Sequence, residues 1–160
     1  MSRINVDTIS GIGGTFVTLL HGATGDASRL TFPPTTIAFS PDILSTDAEI
    51  DTNIVFTFNQ NIEFFGTPGD IEIRQGSASG SLIESFETGA SSRLSIAANT
   101  LTINPTSNLT HETTYYVILP PVGIANTLNA LYSGSESYNF TTKVNEYTVT
   151  GAQYSFSKLD

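Results

Sequence analysis

Asn53-Ile-Val-Phe-Thr-Phe58 is the stretch that decides the fold. Ile54, Phe56 and Phe58 stand at every second position, with Val55 and Thr57 between them. Successive side chains of a strand point to opposite faces, so this period of two puts the three large groups on one side. Val, Ile, Thr and Phe also pack well on a pleated surface. The stretch predicts a strand with one apolar face.

Outward from it the pattern repeats. Asp70-Ile-Glu-Ile-Arg74 alternates Ile71 and Ile73 with Glu72 and Arg74. Leu94 and Ile96, then Leu101 and Ile103, do the same on either side of Ala98-Asn99, which reads as a hairpin turn. Thr114-Tyr-Tyr-Val-Ile-Leu119 predicts a longer strand ended by Pro120-Pro121. Ser137-Tyr-Asn-Phe-Thr141 and Tyr147-Thr-Val-Thr150 predict two more. Gly, Pro, Asn, Asp and Ser clusters separate these runs, and no segment has a 3.6-residue period of helical length. Many short strands with closely spaced turns imply an all-β sandwich or small barrel.

The chain of 160 residues has room for one domain and an appendage. It has no cysteine, which excludes thiolate metal sites, iron–sulfur clusters and thiol nucleophiles. The net charge is −9, and the six cations (Arg3, Arg29, Arg74, Arg93, Lys143, Lys158) are scattered. Binding to nucleic acid or to an anionic membrane depends on clustered Lys and Arg, so neither is expected. Asn5, Asp7 and Thr8 interrupt the apolar run that a secretory signal would need.

The charge is unevenly placed. Residues 1–32 carry two basic and two acidic side chains, while the remainder carries thirteen acidic against four basic and so holds the whole −9. The first segment is glycine-studded with short apolar clusters (Ile4, Val6, Ile9, then Phe16, Val17, Leu19 and Leu20). It buries too little to fold alone and is too apolar for a solvated linker, so it reads as an extended arm ordered against a partner. Three parts follow: a docking arm over 1–32, a sandwich over 33–144, and a C-terminal strand or contact segment over 145–160.

Within the sandwich, Ser40-Pro41, Asp51-Thr52-Asn53, Phe56-Thr57-Phe58-Asn59, Leu101-Thr102-Ile103-Asn104-Pro105, Leu109, Thr113-Thr114-Tyr115-Tyr116-Val117 and Phe140-Thr141-Thr142 follow one another along the chain. In that order they resemble the SbsA-type (Big_5) bacterial Ig-like domain. The resemblance implies an immunoglobulin-like antiparallel β-sandwich and a display or adhesive role. One motif departs: the family's Asp-x-x-Gly-Asn-x turn is replaced by Ile124-Ala-Asn-Thr-Leu-Asn-Ala130, without its glycine. Arg3-Ile-Asn-Val-Asp-Thr-Ile9, with the glycines after it, is similar to the opening of phage tail-fibre and virion appendage proteins, where that piece attaches to the particle.

Together these resemblances imply a phage virion structural protein, a capsid decoration or a small tail or head fibre. Its arm would dock on capsid or tail proteins, and its Ig-like domain would face outward from the particle surface after assembly in the host cytoplasm. Such proteins form symmetric homo-oligomers. The second reading is a bacterial or phage cell-surface adhesion module that binds a host surface glycan, with Phe64 and Phe65 as its surface patch.

No constellation supports an enzyme. Gly11-Ile-Gly-Gly14 is followed by Thr-Phe-Val rather than the Lys-Ser/Thr of a phosphate loop. His111 sits in a polar turn ahead of a strand, without a nucleophile beside it. Glu84 and Glu87 flank Phe86 with nothing to mark a sugar-cleaving cleft. Asp42, Asp47, Glu49 and Asp51 crowd one loop, but their spacing matches no EF-hand. No cofactor and no metal is therefore assigned; Tyr132, Tyr138, Tyr147 and Tyr154, late in the chain, are candidates for a sugar-binding or subunit-contact patch, with core packing the default for most of them.

Overall fold

The structure, a computed structural model, describes residues 32–146, and these form strands and turns without a helix. β1 (Thr36–Ser40) and β2 (Ile54–Phe58) lie in one sheet with β6 (Leu94–Ala97) and β7 (Thr100–Ile103), in the order β1-β2-β7-β6. β4 (Asp70–Gln75), β5 (Ser81–Glu87), β8 (Thr114–Ile118) and β10 (Asn139–Thr141) form the other, in the order β10-β8-β4-β5. β3 (Ile62–Phe65) and β9 (Gly123–Asn126) pair as a short ribbon. The strand pairings are antiparallel. Without the ribbon, the strands follow the A-B-E-D and G-F-C-C′ division of an immunoglobulin-type sandwich.

The alternation in the sequence builds the core. Ile54, Phe56 and Phe58 are fully buried, as are Leu101 and Ile103 on the neighbouring strand. Ile71, Ile73 and Val117 meet them from the facing sheet, while Glu72 and Arg74 point outward and bond to each other at 2.7 Å. Tyr138 fills the centre: its ring stacks on Phe39 at 4.7 Å and meets Phe56 edge-on at 4.9 Å. Its hydroxyl donates to the Pro41 carbonyl at 2.7 Å, so the only polar atom of that ring is satisfied. Tyr115, near the start of β8, is a corner of the same kind, its hydroxyl accepting the Thr110 N–H at 2.9 Å.

Two turns explain themselves. Ala98-Asn99 joins β6 to β7 as read from the sequence, with Ala98 at φ 53° and the Asn99 amide donating to the Phe58 carbonyl at 2.8 Å. In the loop after β9, Asn126 and Asn129 stand three residues apart. Asn129 takes the left-handed conformation (φ 65°) in this glycine-free turn. Asparagine is among the side chains that tolerate this region best. Asn126, buried, accepts the Leu128 and Ala130 N–H groups at 3.0 and 2.9 Å.

Beyond β1 the chain changes sheets. Past the Ser40–Pro41 bond, which is cis, residues 44–48 run alongside 139–143, and Ala48 bridges Thr142 in parallel. The registers then fix the two ends of the sandwich. Thr36 pairs with Phe58, and just beyond them the Phe32 carbonyl accepts from Gln60 and Asn126. At the opposite end Thr141 pairs with Thr114, and Leu109 donates to Ile50 just ahead of β2. The chain therefore enters at one end and leaves at the other.

Candidate functional site

At the end where the chain enters, a depression of about 230 Å³ opens beside the ribbon. Phe64, Phe65, Pro68, Thr88, Gly89 and Gly123 are among the residues that line it. Alternation along β3 sends the two rings apart: Phe64 packs against the core, while Phe65 is 40% exposed. The floor is tightly built. Thr88 is buried, its hydroxyl accepts the Gly69 N–H at 2.9 Å, and its own N–H donates to the Gly69 carbonyl at 3.0 Å. A Cβ on Gly123 (φ 80°) would stand 2.1 Å from that hydroxyl, so only glycine fits there. The recess thus offers one exposed aromatic face over a rigid, hydrogen-bonded base.

The opposite end is charged. A depression of about 350 Å³ is lined there by Glu49, Asp51, His111, Lys143 and Glu146, among others. Lys143 pairs with Glu49 at 2.5 Å. That bond holds the ammonium above the usual lysine range against a smaller desolvation effect, and the charges of Glu49, Glu146 and Asp51 add to it. His111 Nδ1 lies 3.0 Å from the Lys143 carbonyl. A carbonyl can only accept, so Nδ1 carries the proton. The ring fastens the departing chain.

The residues weighed for catalysis are not brought together. Glu84 stands opposite Ile73 on the inner side of β5, while Glu87 stands opposite Asp70 on the outer side. Glu84 instead accepts the Thr106 N–H at 3.0 Å and the Thr106 hydroxyl, tying the β5 edge to the loop after β7. Among the described residues no group of three acidic or histidine side chains gathers as a metal site. Tyr132 and Tyr138 are core residues, not surface ones. Ile4, Val6, Ile9, Phe16, Val17, Leu19 and Leu20 lie outside the described residues, as do Tyr147 and most of the 145–160 segment.

Asn126 is the feature that the sequence reading missed. Its amide uses all four hydrogen-bond positions: two acceptances in its own turn, and donations to the Phe32 carbonyl and Gln60 Oε1, each at 3.0 Å. The signal available was Asn126-Thr-Leu-Asn129 itself, two turn-forming asparagines directly after a short apolar run.

No curated protein matches the chain. The model of the Big_5 bacterial Ig-like domain matches residues 31–142, more than half of the sequence. That span opens one residue before Phe32 and closes at Thr142, one residue short of the last ladder bond at Lys143, and the chain belongs to this family of bacterial Ig-like domains, modules of the surface and adhesion type.

Proposed function

We propose that the protein is a non-enzymatic structural component of a phage virion, held by its leading segment and displaying the sandwich outward. The observation that carries this reading is the placement of the two ends. The neutral, apolar segment joins the sandwich at one end, and the charged depression around Glu49 and Lys143 occupies the other. A module anchored at its first end would present a hydrated, anionic surface to solvent. The leading segment's likeness to virion attachment pieces supplies the kind of particle, and capsid or tail proteins are the partners it would dock on.

The test is deletion of residues 1–31, stopping short of Phe32 because that carbonyl is bonded to Gln60 and Asn126. Virions from producing cells should carry the full chain and lack the truncated one, although the truncated protein folds. Incorporation of the truncated chain would move the docking surface into the sandwich. Absence of the full chain from particles would remove the virion reading altogether.

A second reading, a glycan-binding adhesion module, is favoured by the Phe65 recess. An aromatic face over a rigid base suits the apolar face of a sugar ring. A glycan panel bound by the full chain and lost in Phe65→Ala would establish it. No binding by the full chain would set it aside.

A further inference from the structure

We propose that the sandwich is a tension-bearing element, its load path running from Phe32 through β1 into the parallel pairing of residues 44–48 with 139–143. This goes beyond the docking reading and requires only that force reach the sandwich through the chain, which the sequence continues before Phe32 and after Glu146.

The geometry is that of shear. Four backbone bonds join the two segments: Leu44 N–H to Asn139 O (2.8 Å), Thr141 N–H to Ser45 O (2.7 Å), Ala48 N–H to Thr141 O (3.2 Å) and Lys143 N–H to Ala48 O (2.9 Å). Donors alternate between the segments, as in a parallel ladder. Force applied through the chain draws 44–48 toward the end where Phe32 sits and draws 139–143 toward the end where Lys143 leaves. Parallel segments pulled in opposite senses along their length must stretch all their bonds together. Segments pulled apart sideways release the same bonds one at a time. β10 is loaded along β8 in the same way, and β1 along β2.

Both ends of this path are fastened by side chains. At the first end Gln60 Nε2 and Asn126 Nδ2 grip the Phe32 carbonyl at 2.9 and 3.0 Å, and Asn59 Oδ1 accepts the Thr35 N–H at 3.0 Å. Pro33 and Pro34 between them have fixed φ angles and leave little slack. At the second end the Thr142 hydroxyl donates to the Thr110 carbonyl at 2.5 Å and accepts the Thr113 N–H at 3.1 Å. The Lys143 carbonyl accepts from Glu112 and His111, and its ammonium is held by Glu49. Pull from either side meets a fastening before it meets the core.

Forced unfolding follows the unfolding rate along the pulled direction, so the test compares directions. The chain has no cysteine, and handles can be placed at will. With Ser2→Cys and Ser157→Cys the intact chain is pulled end to end. With Ser77→Cys and Ser157→Cys the force enters the described sandwich at Ser77 and, through the chain, at Glu146, both at the end where the chain leaves, which peels the strands. The expected result is an unfolding force several-fold higher end to end. Equal forces in the two directions would overturn the proposal. Ala48→Pro, which removes one bond of the ladder, should lower the end-to-end force and leave the same-end force unchanged. If that variant fails to fold, the comparison of directions in the parent chain still decides.

Discussion

Tyr138 concentrates the residue-scale physics of this fold. Burial pushes its phenol well above the usual value near 10, and the charge of Asp42 adds to the shift. Burial raises Tyr132 too, with hydrogen bonds from Thr36 and Ser135 pulling the other way. A phenol whose folded-state pKa is raised holds its proton while the unfolded chain gives its proton up. That contribution to stability is complete below about pH 10 and is lost as the pH climbs toward the folded-state pKa. Melting temperature should therefore fall steeply in alkaline solution. Tyr138→Phe should flatten that fall, while costing about 0.5–1.5 kcal/mol at neutral pH through the lost bond to Pro41. An alkaline limb unchanged in the variant would place the titration elsewhere. Phe56→Ala, opening a hole against Phe39 and Tyr138, should cost about 3–5 kcal/mol in a denaturant melt, and a near-neutral result would contradict the packing described.

At the scale of elements, edges and pairs decide what is exposed. The register of β1 on β2 shifts around Ile37, and that of β5 on β4 shifts around Ile83, so both apolar side chains are thrown outward by bulges on edge strands. Bulges at edges blunt the pairing of one sheet with another. Ile83→Thr should accordingly change stability by less than about 0.5 kcal/mol. Asp70 and Glu87 stand directly opposite each other on the outer face, a like-charge pair. Glu87→Lys should raise stability by about 0.2–1 kcal/mol, measured by thermal or urea unfolding, and a fall would mean the carboxylates are stabilised by something else. The same elements show what was legible. β2, β4, β6, β7 and β8 announce themselves because an apolar side chain returns at every second position and finds the core. β3, β5 and β9 do not, because their residues divide between the core, a ribbon and an edge. Leu82 and Ile83 break alternation at the bulge, and β9 is buried on both sides. Phe64-Phe65 reads as one aromatic patch in the sequence, yet adjacent residues in a strand must face apart. The parallel run of 44–48 on β10 left no periodic mark, since its bonds are made by backbone alone.

Residues 32–146 together form a sandwich entered at one end, left at the other, and fastened at both. Asn126 is the polar centre of the first fastening. Asn126→Asp keeps the two acceptances in the turn but removes the donors to Phe32 and Gln60. It should leave the fold in place and expose the bonds around residues 31–35 to limited proteolysis, whereas resistance equal to that of the parent would assign the grip to Gln60 and Asn59. The crossing segment, residues 44–48, belongs to the closed sandwich and is not a loop laid over it. Native-state hydrogen exchange on the intact chain tests this most directly. The Ala48, Thr141 and Lys143 amides should exchange only with global unfolding, at the rate of those in β2. Exchange of these amides by local opening, with β2 still protected, would contradict the account.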